Sequence, residues 1–293
     1  MLRLGPMQDK SQTSTQRLLE LRSHRLLQLS GPDAVSFAQG QFMNDVEALA
    51  EGEWQWSGWL TPKGRLAALF ALLRVDDAVL LLLPDADPAG FAAALGRFVF
   101  RAKVRVEAVQ GRVSGALAAP AAATGKRLAE AHGRLELDLG GEGGPRTLWI
   151  ERGVAAGTDP DGSAEWAVAD LLHGLPRLPA GDEPQWTPQQ LSLERLAAFS
   201  VRKGCYPGQE IVARTHFLGK AKRGLVLLEG NAPLSPGLEV RAGDAAAGTI
   251  ASAASDGDRH LALAVMPLER PEGQLAAGAV ELCELPLLGG LGR

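Results

Sequence analysis

Apolar positions along the chain change their period from segment to segment, and the changes outline the elements. In "GPDAVSFAQGQFMNDV", Val35, Ala38 and Phe42 recur at helical spacing. Pro32 suits a first helical position and Asp33 the positive end of the helix dipole, so a helix is predicted that ends between Gln39 and Asn44. The apolar runs "LAALFALLRV" and "AVLLLLP" predict buried strands joined by a turn at Asp76 and Asp77. "DPAGFAAALGRF" opens a second helix with an Asp cap and Pro in its first turn, and "KVRVEAV" alternates as a strand. After the Pro-rich connection "RLPAGDEPQWTPQQ" a further helical pattern appears in "LSLERLAAF". From Gly224 onward short runs such as "LVLLEG", "LEVRAG" and "HLALAVMP", divided by Gly, Pro and Asp, predict a small β-barrel or sandwich. The fold class is α+β, with a body over 1–220 and a β domain over 221–293.

Composition narrows the function classes. The 293 residues are 46% hydrophobic and 22% charged, enough for two domains with an ample core. With 30 basic against 34 acidic residues the net charge is -4, so any anion binding has to be local. The N-terminus lacks an apolar h-region, and the greasiest stretch is interrupted by Arg74, Asp76 and Asp77, which predicts neither a signal peptide nor a membrane span. The 2 cysteines, Cys205 and Cys283, are far apart and form no CxxC, which disfavours a disulfide framework or zinc site and fits a reducing cytoplasm. Histidine pairs at metal spacing, a phosphate-binding loop, a dinucleotide fingerprint and a serine-hydrolase elbow are all missing.

Chemistry concentrates in "VRKGCYPGQEIVARTHFLGKAKR". Pro207 and Gly208 suit the central positions of a type II turn that presents Cys205 and Tyr206. Glu210 and Arg214, four apart, support a short helix that Gly219 can end. A thiol beside Arg202 and Lys203 is a candidate reactive thiolate, although a lone cysteine between glycines reads at least as readily as a small buried apolar residue. Lys220, Lys222 and Arg223 read as a solvated connector. In "TPKGR", Lys63 and Arg65 flank a permissive Gly64, either as a hairpin turn or as cations turned into a cleft. Arg101 and Lys103 fit the exposed face of a half-buried strand, and Asn44 and Asp45 fit a helix terminus or a pocket lining equally well.

In order along the chain, "SGPDAVSFAQGQFMNDV", "TPKGR", "FRAKV", "LLHGLPRL", "TPQQ" and "KGCYPGQEIVAR" resemble the YgfZ-type folate-binding family, relatives of the glycine-cleavage T-protein, whose signature is KGCYxGQE. The resemblance implies a T-protein-like cloverleaf: two α+β lobes around a central folate cavity, plus a C-terminal β-barrel. It implies tetrahydrofolate or a derivative as cofactor, and a cytoplasmic role in maturing or repairing iron-sulfur enzymes, including radical enzymes that modify tRNA. Those enzymes or assembly factors would be the partners, with no membrane and no direct nucleic-acid contact. By the same resemblance Lys203 and Cys205 are the catalytic residues, and Tyr206, Gln209, Glu210 and Arg214 join the cofactor site. Trp166 matches a pteridine-stacking aromatic, and His24 stands at a second stacking position where relatives can carry Trp. Asn44 and Asp45 join the site, and Lys63, Arg65, Arg101 and Lys103 become contacts for an anionic glutamate tail.

Where the T-protein has an Asp pair near the folate reaction centre, this chain has Ala67 and Ala68, which argues against aminomethyl transfer. A cubane cluster takes four thiolates, so 2 cysteines leave Cys205 as a redox thiol or as one ligand shared with a partner or with a second copy. Two other readings stand beside this one: a one-carbon transferase for another amine, and a non-catalytic scaffold whose basic run docks RNA or a client protein.

Overall fold

The computed structural model describes residues 17–155, 157, 159–178, 183–219, 221–257, 259–270 and 272–293. The N-terminal stretch and Lys220 therefore lie outside the described residues. The chain enters at β1 (Leu19–Glu20) and then builds a five-stranded antiparallel sheet from β2 (Arg25–Ser30), β3 (Trp54–Leu60), β4 (Leu66–Val75), β5 (Ala78–Leu83) and β6 (Arg105–Val109). Its order is β3-β4-β5-β2-β6. Central β5 is buried at every position, because Leu80 and Leu82 face one apolar layer while Val79, Leu81 and Leu83 face another. That is why its sequence shows a continuous apolar run and no alternation. The second layer is covered by α1 (Ala34–Gln41) and α2 (Pro88–Gly96). Asp87 caps α2 as expected, accepting from the backbone of Ala89 and Gly90. Asp33 instead accepts from Lys103 N at 2.6 Å, and α1 starts at Ala34, after Pro32 and Asp33.

A second sheet runs β1-β7-β10-β9-β8, from β7 (Gly111–Ala116), β8 (Ala129–Ala131), β9 (Arg134–Asp138) and β10 (Thr147–Arg152). Helix α3 (Ser163–Leu172) packs from it onto the C-terminal unit. That unit is a closed barrel of β11 (Arg223–Gly230), β12 (Glu239–Ala242), β13 (Ala245–Asp256), β14 (Arg259–Pro267), β15 (Leu275–Ala277) and β16 (Val280–Leu285), in the order β11-β14-β13-β12-β15-β16. Closure removes free strand edges. Leu228, Ile250, Ala262 and Met266 fill the barrel, whereas Leu225, Leu227, Leu261 and Leu263 face outward into the body's core. After β16 the chain returns to the body, where Leu291 is buried and its carbonyl accepts from Trp56 Nε1 at 2.8 Å.

Two local expectations need correction. "LSLERLAAF" forms only a 3₁₀ turn over Leu193–Leu196, because Ser192 and Ala197 on either side are left-handed, with φ of 48° and 51°. That path lets Leu191, Leu193, Leu196 and Ala198 all be buried and turns the Ser192 hydroxyl to Leu225 N at the start of the barrel. Arg101 and Lys103 precede their strand, which begins at Arg105, and both are exposed.

Candidate functional site

Two tight turns build the site. In the first, Gln209 N donates to Tyr206 O across Pro207 and Gly208, and Gly208 has φ 78° and ψ 0°, the type II geometry the sequence predicts. Helix α4 (Gln209–Leu218) follows directly. In the second, Gly64 N donates to Thr61 O in the hairpin between β3 and β4. The turns nest on their glycines. A Cβ on Gly208 would lie 2.6 Å from Thr61 O, and one on Gly64 would lie 2.6 Å from Ile211 Cβ. "TPKGR" and the signature segment, far apart in sequence, thus form one unit.

Cys205 is exposed, which settles the choice between a buried apolar residue and an accessible thiol. It stands on the wall of a cleft of about 610 Å³, together with Tyr206, Gln209 and Glu210 from the signature. The facing wall is Trp59, Thr61, Ala67, Arg97 and Phe98. Trp59 packs edge-on to Phe98 at 5.9 Å and tilted on Phe91 at 5.1 Å. Its Nε1 is buried without a hydrogen-bond partner among the described residues. An unpaired buried donor costs about 1–3 kcal/mol. Arg97 is exposed and makes no ion pair among the described residues. Burial pushes the Tyr206 phenol up to about 12, which keeps it protonated and donating to Ser200 O. Phe100, Phe217 and Leu218, which are 86%, 66% and 83% exposed, extend the two segments that line this cleft.

The sequence missed Trp59, Arg97 and Phe98. A signal existed for the first: in "WQWSGWL", Trp54 and Trp56 share a strand face while Trp59 breaks the two-residue period.

Other predicted site residues serve the scaffold. Lys203 is buried, and its ammonium donates to the carbonyls of Gln39, Phe42 and Asn44, capping the end of α1. Burial pushes it down to about 8, against the pull of Asp45 and Glu47. Its place is that of an anchor for the signature loop, and it is not on the cleft wall. Asn44 donates to Trp56 O and Ala197 O, each at 2.8 Å, and Asp45 accepts from Gln39 Nε2 and Ala48 N, so both belong to the turn that ends α1. Arg65 spends its guanidinium on Gln185 O and Gln190 Oε1. Lys63, Arg101, Lys103 and Arg214 are exposed and do not line the cleft.

Trp166 and His24 do come together, but away from Cys205. They line a small chamber of about 20 Å³ with Trp56, Asp170 and Leu175. That volume admits one water molecule. Trp166 is 1% exposed and so tight on Gly115 that a Cβ there would lie 2.5 Å from its ring. Beside it runs a buried charge network: Asp170 pairs with Arg146 at 2.8 Å and Arg177 at 3.4 Å, and Arg177 holds Asp85 at 2.8 Å. Burial lifts the Asp170 carboxyl, opposed by Arg146 and Arg177. A reduced folate therefore fits the Cys205 cleft, whose volume lies in the range of ligand pockets and whose walls are aromatic, and does not fit the chamber at Trp166.

Fold and site define a T-protein-like protein with a thiol on the wall of a ligand-sized cleft. The crystal structure of the glycine cleavage system aminomethyltransferase T from Bartonella henselae superposes with a TM-score of 0.62 at 15% identity, covering 92% of this chain and 84% of that one. No family model matches the sequence. The tRNA-modifying protein YgfZ of Edwardsiella ictaluri is 31% identical over 252 residues, covering 78% of this chain and 76% of its own. That of Colwellia psychrerythraea is 30% identical over 232 residues, covering 72% and 71%. The chain belongs to the YgfZ family. Among the described residues, no helix is long and apolar enough to cross a membrane.

Proposed function

We propose that the cleft beside Cys205 binds tetrahydrofolate or a derivative. On this reading the chain uses that thiol in maturing or repairing iron-sulfur enzymes, among them enzymes that modify tRNA. The observation that carries the reading is the placement of one exposed thiol on the wall of a cleft of about 610 Å³ with aromatic sides and an unpaired buried indole N–H. The tRNA part is supported by the relatives named tRNA-modifying protein YgfZ. A bound reduced folate supplies one-carbon or reducing chemistry. The protein's own residues bind and orient: Trp59 Nε1 donates to an acceptor of the ligand, Phe98 and Trp59 offer ring faces, and Arg97 attracts carboxylates. Cys283 lies on barrel strand β16, so Cys205 is the thiol at the cleft and would share any cluster contact with a partner. The exposed Phe100, Phe217 and Leu218 give such a partner an apolar landing beside it.

Calorimetric titration with tetrahydrofolate should show saturable binding to wild type, weakened about tenfold in Trp59→Phe by loss of one buried hydrogen bond. Cys205→Ser should bind folate as wild type does, yet fail to restore iron-sulfur tRNA-modifying activity in cells lacking the protein. Absence of saturable binding would overturn the folate assignment, and full rescue by Cys205→Ser would overturn the role of the thiol.

A further inference from the structure

Beyond the rim of the Cys205 cleft the chain leaves α2 through "RFVFRAKVR" and enters β6, an edge strand of its sheet. Exposed and half-buried positions alternate from Arg101 to Val106. Ala102, Val104 and Val106 turn onto the apolar layer that α1 and α2 cover, so Arg101, Lys103 and Arg105 share the outer face. Extended chain puts successive members of such a row roughly 6–7 Å apart. None of the three side chains makes a hydrogen bond or an ion pair among the described residues, and Glu107 follows them on the same face, which ends the row. The backbone under the cations is fixed. Lys103 N donates to Asp33 Oδ2 at 2.6 Å, Asp33 N donates to Lys103 O at 3.4 Å, and a Cβ on Gly31 would lie 2.4 Å from that same carbonyl oxygen. At the head of the row stands Phe100, 86% exposed.

We propose that Phe100 and this row bind single-stranded RNA, the cations pairing with successive phosphates and the ring stacking on a base. This departs from the expectation of no direct nucleic-acid contact. A net charge of -4 gives the whole protein no attraction for a polyanion, so the attraction has to come from a local row of unpaired cations such as this one. Charge alone would suit an acidic peptide equally well. The ring decides between them: every base offers a flat face to an exposed aromatic side chain, and an acidic peptide offers carboxylates without one. A duplex keeps its bases stacked on one another, which leaves the ring a single strand, a loop or an end. Arg97 and Phe98 line the Cys205 cleft, so a strand held here runs from the rim of that cleft along the edge of the sheet. The choice of RNA over DNA rests on the tRNA part of the reading above; the surface itself stands apart from the folate and thiol parts.

The test is fluorescence anisotropy of an end-labelled oligouridylate of about eight nucleotides, titrated with the full chain in the absence of folate. Binding should saturate with a Kd on the order of 10 μM at low salt. The logarithm of the association constant should fall against the logarithm of salt concentration with a slope of about -2, from three phosphates at about -0.7 each. Lys103→Gln should make that slope shallower by about 0.7. Phe100→Ala should weaken binding about tenfold and leave the slope unchanged, the mark of a lost stack. Phe217→Ala, which removes an exposed ring from α4, should bind as wild type does. All three side chains are on the surface, so the variants keep the fold. No saturation below about 1 mM overturns the proposal, as does wild-type affinity in Phe100→Ala or equal affinity for a duplex of the same length. Displacement of the RNA by polyglutamate at equal charge would give the row to an acidic protein, and preference for the matching DNA strand would overturn the assignment to RNA. Calorimetric titration of Lys103→Gln and Phe100→Ala with tetrahydrofolate should match wild type, so failure of the RNA surface leaves the folate reading standing.

Discussion

Lys203 and Cys205 stand two positions apart in one loop and face opposite tasks. The ammonium is turned inward onto the carbonyls of Gln39, Phe42 and Asn44, and the thiol is turned out to the cleft wall. Neighbouring in sequence, they share no function, because consecutive side chains of a loop point wherever its turns send them. His24 shows the same independence from local context. It is buried, with Nδ1 at 3.1 Å from Ser23 Oγ, and burial, helped by Arg177 and Arg25, holds its imidazole well below the ordinary value of 6.5. The folded chain thus keeps His24 neutral while the unfolded chain takes up the proton. The contribution is fully present above about pH 6.5 and is lost as pH falls toward the lower folded value, at up to about 1.4 kcal/mol per pH unit. His24→Gln cannot titrate, so its melting temperature should fall less than that of wild type between about pH 7 and about pH 5. Thermal unfolding followed by circular dichroism would show it, and equal falls would mean that other groups carry the acid sensitivity.

At the scale of elements, the site is two nested turns, and two signature glycines have different jobs. Gly208 combines a φ of 78° with contact too close for a Cβ, whereas a Cβ on Gly204 would meet nothing within 4 Å. Gly208→Ala should cost about 1–3 kcal/mol in urea unfolding and alter the rate at which Cys205 reacts with a thiol reagent. Gly204→Ala should stay within about 0.5 kcal/mol of wild type. Comparable losses from both would show that the loop tolerates no change anywhere, and that the nesting argument is wrong. The type II turn was legible because Pro-Gly constrains the backbone by itself. The failure of "LSLERLAAF" to make a full helix was not, since the left-handed residues Ser192 and Ala197 are held by contacts with the barrel and body that no local pattern encodes.

Across the whole molecule, Arg177 is a hub. Its guanidinium binds Asp85 after β5 and Asp170 on α3, while its backbone N–H donates to Ser252 Oγ on barrel strand β13 at 2.7 Å. Sheet, helix and barrel meet at one side chain. Asp170 neutralises Arg177 and Arg146 together, and removing it leaves Arg146 buried without its carboxylate and Arg177 with Asp85 alone. Asp170→Ala should therefore destabilise by about 3–5 kcal/mol, read from the urea midpoint, far more than an average substitution. A loss below about 1 kcal/mol would mean that the charges are solvated by water in the adjoining chamber.

Read alone, the chain determined strands β4, β5 and β6, helices α1, α2 and α4, the closing β domain and the signature turn, because apolar period and Pro-Gly geometry act over a few residues. Tertiary structure alone decided which polar residues meet. It put Lys203, Asn44, Asp45 and Arg65 to work in the scaffold, shut Trp166 and His24 in a chamber for one water, and brought Trp59, Arg97 and Phe98 to Cys205. The reason is that a cleft is the space left between packed elements, and its shape depends on long-range registers such as the bulge at Ala67, which no short stretch of sequence contains.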